Sequence, residues 1–201
     1  RLVILFLLLT GSLASWSEVV VYANGDRYEG SFLDGFRDGE GTYSWAGGDV
    51  YTGRFVQDQP HGRGTFKWRD GRIYQGDFVM GNRQGKGTYS NAQGEIYEGD
   101  FKENRMHGEG FYKWSNGDTF SGGYLNGKRH GFGAFVWSNG ERYEGDFLED
   151  SMTGKGTMTY LDDSRYVGDF KNNLRNGYGE MSSGLGITFK GFYRNDQRHG
   201  Y

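Results

Sequence analysis

From Val19 onward, large apolar residues alternate with polar ones over short stretches, and glycines punctuate the alternation. In Arg27–Leu33, RYEGSFL, an extended chain places Tyr28, Gly30 and Phe32 on one face and Glu29 and Ser31 on the other. A second alternating stretch follows, with Gly39, Gly41, Tyr43 and Trp45 in phase. Period-two alternation carried by aromatic rings predicts β-strands, and no segment after residue 20 carries a helical period. Glycines that share a face with the rings are expected to leave bare backbone on which neighbouring rings rest.

The pattern recurs every 23 residues without insertion. The leading aromatic stands at Tyr28, Tyr51, Tyr74, Tyr97, Phe120, Tyr143, Tyr166 and Phe189, followed two positions on by Gly30, Gly53, Gly76, Gly99, Gly122, Gly145, Gly168 and Gly191. A fixed period of this length is the signature of a repeat array. Asn-Gly within Tyr22–Asp26, Trp114–Asp118 and Trp137–Glu141 predicts one hairpin turn. Gly35, Asp58, Gly81, Asn104, Gly127, Asp150, Asn173 and Asp196, at a single register, predict the other, because Gly, Asn and Asp tolerate a left-handed backbone. Short turns make consecutive strands antiparallel, so the expected fold is all-β: an elongated single-sheet solenoid of antiparallel β-hairpins over residues 19–201. Its units start at residues 28, 51, 74, 97, 120, 143, 166 and 189, with a capping half repeat before the first. The last unit stops midway, and the array is expected to continue beyond Tyr201.

Composition narrows the core. The chain has 37 Gly, one Pro and 17% aromatic residues, so its interior must be built mainly from Tyr, Phe and Trp in a thin layer. A formal charge of −3 argues against bulk attraction to nucleic acid, and the absence of Cys excludes disulfides, thiolate catalysis and cysteine-based zinc sites. Residues 1–18 stand apart. A basic residue, an apolar run from Leu2 to Leu9 and small residues at Ser12 and Ala14 resemble a secretory signal; a membrane anchor or mistranslated upstream sequence are the other readings. A signal would make the protein secreted or membrane-associated, whereas without one the cytoplasm or the cytoplasmic face of a membrane is expected.

The candidate chemistry follows the repeat. His61, His107, His130 and His199 occupy one register, where other units place Asp38, Gln84, Thr153 and Asn176, so a polar group that hydrogen-bonds a turn is the expected role. Successive units stand about 9.5 Å apart, too far for two of these histidines to share a zinc. No nucleophile-and-base pair breaks the repeat, and no glycine turn opens a helix that would cradle phosphate. No catalytic residue, metal site or cofactor is therefore expected. Glu29, Asp77, Glu98, Asp100, Glu144, Asp146 and Asp169 form an acidic row on the non-aromatic face, interrupted by Arg54. Arg37, Arg83, Arg105, Lys128, Arg129, Arg175 and Arg198 form a basic loop edge that either is a solvated rim or contacts anionic phospholipid or an acidic partner. The rings are read as core; where left open they could receive a peptide, a partner helix or another array.

Units such as Tyr143–Arg165, YEGDFLEDSMTGKGTMTYLDDSR, closely resemble MORN (membrane occupation and recognition nexus) repeats in length, in the leading Tyr-x-Gly-x-aromatic and in the later Gly-x-Gly. The resemblance covers Val19 to Tyr201 and implies an antiparallel hairpin array acting as a non-catalytic scaffold, a dimerisation module or a membrane-associated targeting module, with protein partners or phospholipid as targets. It also admits a regulatory region of a larger enzyme, such as a phosphatidylinositol-phosphate kinase. The departures are Phe120 and Phe189 for the leading Tyr, Asp163 for a turn Gly, and Ser183 for a Trp or Tyr.

Overall fold

The structure is a computed structural model that describes residues 17–199; the signal-like segment expected at residues 1–18 lies almost wholly outside them. The described residues form seventeen strands and no helix, each strand running antiparallel to the next in one open sheet. The first strands of the units are β2 (Arg27–Leu33), β4 (Val50–Val56), β6 (Ile73–Val79), β8 (Ile96–Lys102), β10 (Thr119–Leu125), β12 (Arg142–Leu148), β14 (Arg165–Lys171) and β16 (Thr188–Arg194). The second strands are β3 (Phe36–Ser44), β5 (Gln59–Lys67), β7 (Asn82–Ser90), β9 (Arg105–Lys113), β11 (Lys128–Val136), β13 (Ser151–Thr159), β15 (Leu174–Ser182) and the short β17 (Gln197–His199). The half repeat supplies β1 (Glu18–Val21), paired with β2. Two compact units divide the chain, one up to Gly94 with Phe101–Asn104, the other Glu95–Asp100 with the chain from Arg105.

In each unit the leading Tyr is the centre of the core. Tyr28, Tyr51 and Tyr74 in the first, and Tyr97, Tyr143 and Tyr166 in the second, are fully buried. Tyr28, Tyr51, Tyr74, Tyr143 and Tyr166 each meet the second aromatic of their own strand and that of the next first strand edge-on, as Tyr51 does with Phe55 at 5.0 Å and Phe78 at 5.1 Å; such edge-to-face pairs are favoured by the ring quadrupole. The hydroxyl is satisfied locally: Tyr51 donates to the Arg54 carbonyl at 3.0 Å and Tyr143 to that of Asp146 at 3.0 Å. Burial pushes the Tyr51 and Tyr74 hydroxyls up to about 12.

The ring lies on glycine. Gly30, Gly41, Gly53, Gly64, Gly76 and Gly87 pair in sequence across β2–β7, and Gly110, Gly122, Gly133, Gly145, Gly156, Gly168, Gly179 and Gly191 across β9–β16. A Cβ on Gly87 would stand 2.5–2.7 Å from the Tyr74 ring. Two glycines per unit thus make room for the aromatic, as the sequence implies.

The Gly39 register does something else, and the expected in-phase run from Gly39 to Trp45 is corrected. Gly39 has φ +98°, and its equivalents Gly62, Gly85, Gly108, Gly131, Gly154 and Gly177 are also left-handed. Between the pairs Gly30↔Gly41 and Phe32↔Arg37, β3 passes four residues where β2 passes two, a bulge that breaks the alternation. The backbone N–H groups turned out by the bulge are met by the acidic row: Asp100, Asp146 and Asp169 accept from Glu109, Lys155 and Tyr178 at 3.2, 3.1 and 3.0 Å. These three members of the row are bulge partners, whereas Glu29, Asp77 and Glu144 pair with Arg27, Arg63 and Arg142.

Both turns differ in detail from expectation. At the first, the predicted Gly35, Asp58, Gly81 and Asn104 are left-handed, and so are the residues before them, Asp34, Gln57, Met80 and Glu103. Two positive φ values give a two-residue type I′ hairpin, whose twist matches that of the strands. At the second, Gly117 is left-handed, and Gly117 N–H bonds the Trp114 carbonyl at 3.0 Å while Trp114 N–H bonds that of Asp118 at 2.9 Å. This is a three-residue loop with a glycine bulge rather than a two-residue Asn-Gly turn. Asn116 serves it through its side chain, accepting from Asp118 N–H at 3.0 Å.

Candidate interaction surfaces

The seven cations expected to form one basic edge occupy different places. Arg37, Arg83, Arg129 and Arg175 lie on the aromatic side, spaced 46 residues apart, with guanidinium groups over the rings. Arg37 stands 4.5 Å from the Tyr43 centroid and 5.4 Å from that of Phe55; Arg129 stands 5.2 and 5.3 Å from Phe135 and Phe147. Each is held by the turn residue 21 positions on: the Arg37 side chain donates to the Asp58 carboxylate and carbonyl at 2.9 Å, and Arg129 likewise to Asp150 at 3.2 and 2.8 Å. The backbone closes the clamp, because Arg129 N–H donates to the Asp150 carboxylate and Asp150 N–H to the Arg129 carbonyl, both at 3.0 Å. The same arrangement joins Arg175 to Asp196, and Arg83 to Asn104. These four side chains roof the core. Arg198 stacks on Phe189 at 4.0 Å.

The intervening units lack the clamp. Pro60, Met106 and Met152 replace the arginine, so the guanidinium half is missing; their carbonyls accept a backbone N–H from Gly81, Gly127 and Asn173, and at Met152 the backbone half persists, its N–H donating to the Asn173 side chain at 2.8 Å. The array is thus built from alternating unit types. Sequence reasoning passed over this, although Arg at 46-residue spacing with Asp or Asn 21 residues later is visible in the chain. Arg129→Ala should lower stability by about 2 kcal/mol, the size of a charge-assisted hydrogen bond plus a ring contact. Converting the unit to its neighbours' type with Arg129→Met and Asp150→Gly should cost less than the two single losses together, measured by denaturant melts as a double-mutant cycle.

Arg105 and Lys128 are exposed at first-turn tips, Lys128 in an ion pair with Glu149 at 3.3 Å. Leu125 and Leu148 are exposed at the same turn positions. Acids and turns also tie consecutive units together: Asp26 accepts from the Tyr43 hydroxyl at 2.6 Å and from Ala46 N–H at 2.8 Å, bonds that hold its carboxyl below the usual carboxylate range. The polar group before the second glycine pair behaves as expected where it is Asp38, Gln84 or Asn176, each bonding the next unit's first turn. It does not at His61 and His107, whose Nδ1 atoms are buried without a partner.

The non-aromatic face differs between the two compact units. Across the middle of β2–β7 it presents Thr42, Thr52, Thr65 and Thr88 with charged residues, Thr42 and Thr52 hydrogen-bonding at 3.1 Å, with Phe36 (50% exposed) and Ile73 (37%) only at strand ends. Across β11–β16 four of these solvent-facing positions carry large apolar groups instead: Phe132 (64% exposed), Val167 (44%), Tyr178 (49%) and Phe192 (60%). Tyr178 and Phe192 pair edge-on at 5.4 Å. Between Phe132 and Tyr178 lies a cavity of about 460 Å³ whose floor is Gly145, Gly156, Gly168 and Gly179. The glycine row covered by tyrosines on one side is bare on the other. This surface was not singled out in the sequence, although aromatic residues at registers held elsewhere by Ser, Glu, Arg, Lys and Asp are the available signal. Among the described residues no group of three or more His, Cys, Asp or Glu is placed to hold a metal ion.

The family model described as MORN repeat matches residues 28–50, 51–71, 74–95, 97–119, 120–142, 143–165, 166–184 and 189–201. No curated protein matches. Among solved structures, the chain is similar to the TCP domain of SAS-4 from Drosophila melanogaster, solved in complex with a proline-rich motif of Ana2, at 15% identity and a TM-score of 0.49, over 94% of this chain and 99% of that one. It is also similar to the TCP10 domain of Danio rerio CPAP, at 13% identity and a TM-score of 0.49, over 87% and 83%.

Proposed function

Because the chain belongs to the MORN repeat family, we propose that it works as a non-catalytic scaffold, and that its working surface is the non-aromatic face of β11–β16, where it takes a protein partner. One observation carries this reading: Phe132, Val167, Tyr178 and Phe192 lie at positions that neither the core nor the turns require. The architecture is satisfied by polar groups there in β2–β7. Rings placed on a solvated face, around a glycine-floored trough, supply the buried apolar contact that protein interfaces concentrate at their centres. A second reading, contact with an anionic membrane surface, is favoured by Arg105 and Lys128 standing with Leu125 and Leu148 at exposed turn tips, each such cation being worth about 1 kcal/mol near acidic lipid. The four clamped arginines are poor candidates for that role, since reversing them would disturb the core.

Cross-linking separates the two. Lys155 and Lys190 flank the trough with exposed amines. In cells expressing the full chain, a lysine-reactive reagent is expected to capture a partner protein through them. Phe132→Asp combined with Tyr178→Asp should abolish capture, and Thr52→Asp on the opposite unit should not. Capture unchanged in the double variant removes the face from consideration. Sedimentation with anionic vesicles that is lost in Arg105→Glu, Lys128→Glu but kept in the face variant establishes the membrane reading instead.

A further inference from the structure

Resting on the reading that the face of β11–β16 takes a protein partner, we propose that it recognises an acidic segment of that partner: an apolar side chain enters the glycine-floored trough, and carboxylates on either side of it meet Arg165, Lys171 and Arg194. The placement follows from strand alternation. Arg165, Val167, Asp169 and Lys171 share this face of β14, and Gly168 in the trough floor stands three residues from both Arg165 and Lys171, about 10 Å along the strand in each direction. Arg194 follows Phe192 on the same face of β16, two residues on. All three cations are exposed. The trough and its rings therefore lie between charges on long stems that can reach toward a segment seated there.

The charge left over after internal pairing sets the sign of the partner. Arg142, Lys155 and Lys190 are met by Glu144, Asp169 and Glu180 at 3.1, 2.6 and 3.0 Å, and Lys128 by Glu149 at 3.3 Å. Among the described residues Arg165, Lys171 and Arg194 have no ion pair, the Arg165 guanidinium reaching the Thr157 hydroxyl at 3.5 Å. Asp146 is the acid of this face without a cation, and its carboxylate accepts from Lys155 N–H at 3.1 Å. The face thus keeps an excess of positive charge although the chain as a whole is negative, and complementarity calls for an acidic occupant. The acids that stay select its kind. Glu144 and Glu180 line the trough itself, where a continuous phosphate backbone or a plane of anionic headgroups would be forced against them. A peptide places its carboxylates singly and carries backbone N–H donors between them, so it can donate to Glu144 and Glu180 while its own acids reach the unpaired cations.

Fluorescence anisotropy of the full chain with two labelled peptides tests this, one carrying a single Phe between flanks of Glu, the other the same with Gln for every Glu. The Glu peptide is expected to bind with Kd on the order of 100 µM and at least about tenfold more tightly than the Gln peptide. Lys171→Glu combined with Arg194→Glu, both exposed and therefore compatible with folding, should weaken the Glu peptide at least about tenfold, with unchanged thermal melting as the control. Tyr178→Asp should weaken it as well. Arg54→Glu with Lys67→Glu, the same change of net charge on β4 and β5, should leave binding as it is. Equal binding of the two peptides, no binding of the Glu peptide up to about 2 mM, or binding that survives the Lys171, Arg194 reversal overturns the proposal. So does a face that ignores the Glu peptide but takes anionic vesicles or a single-stranded oligonucleotide and loses them in the same reversal. Cross-linking in cells separates this failure from that of the underlying reading: a partner still captured by the Lys171→Glu, Arg194→Glu variant but lost in Phe132→Asp, Tyr178→Asp means that the face binds protein through its rings alone.

Discussion

Tyr143→Ala is expected to destabilise its region of the array by about 3–5 kcal/mol, the cost of emptying a buried aromatic position that cannot collapse. The ring has no exposed surface, meets Phe147 at 5.2 Å and Phe170 at 4.9 Å, and covers Gly145 and Gly156. Its neighbours on one side are sheet backbone, which cannot move in to fill the void. Tyr143→Phe should cost only about 1 kcal/mol, since it keeps the ring and removes the hydroxyl that donates to the Asp146 carbonyl. Phe120 at the equivalent position is just as buried, so the fold accepts that change. Repeat arrays can lose cooperativity, so hydrogen exchange at Gly145–Phe147 should be read beside the denaturant midpoint. Protection lost in Tyr143→Phe as fully as in Tyr143→Ala would mean that the hydroxyl, not the ring, holds the unit.

The reverse error, adding a methyl where the ring rests, should be nearly as damaging. In Gly156→Ala the new Cβ would lie 2.5–2.7 Å from Cε2, the hydroxyl and Cζ of Tyr143. A ring packed on both edges has no alternative rotamer to adopt, so a loss of about 3 kcal/mol is expected, at the upper end of overpacking. The double variant Tyr143→Ala, Gly156→Ala should be little worse than Tyr143→Ala alone, because the clash vanishes with the ring. Gly131→Ala provides the contrast. Nothing lies within 4 Å of its Cβ, but φ is +76°, so a loss of about 1 kcal/mol from backbone strain alone is expected. Equal losses at Gly156 and Gly131 would show that conformation rather than ring contact decides both.

The strand pattern was legible because each unit repeats it: Tyr28, Gly30 and Phe32 alternate on one face in the sequence and in the structure. What escaped was what alternation conceals. A left-handed Gly39 looks the same in sequence as the flat Gly41 two residues later, since both are glycines in phase with rings. Only the count of paired residues across β2 and β3 tells them apart. The basic edge was misplaced for a related reason. Arg37 and Arg105 are both cations near a turn, but they occupy neighbouring positions in their units, and one residue along a strand is the difference between the ring face and the other. Phe132 and Tyr178 were hidden by abundance, two rings among 30 Tyr and Phe residues. They differ only in register, which has meaning once the faces are known.

The alternation of clamped and unclamped units gives the array a parity. Each clamp needs an arginine in one unit and an Asp or Asn at the turn of the next, as in Arg37 with Asp58 and Arg129 with Asp150. Excising 46 residues in register leaves every remaining clamp with its own kind of neighbour. Excising 23 can bring two arginine units together, so that the first guanidinium faces a glycine turn such as Gly127 in place of a carboxylate. Chains of this design should therefore lengthen and shorten in pairs of units, although the eye, following YEGDF, counts them one at a time.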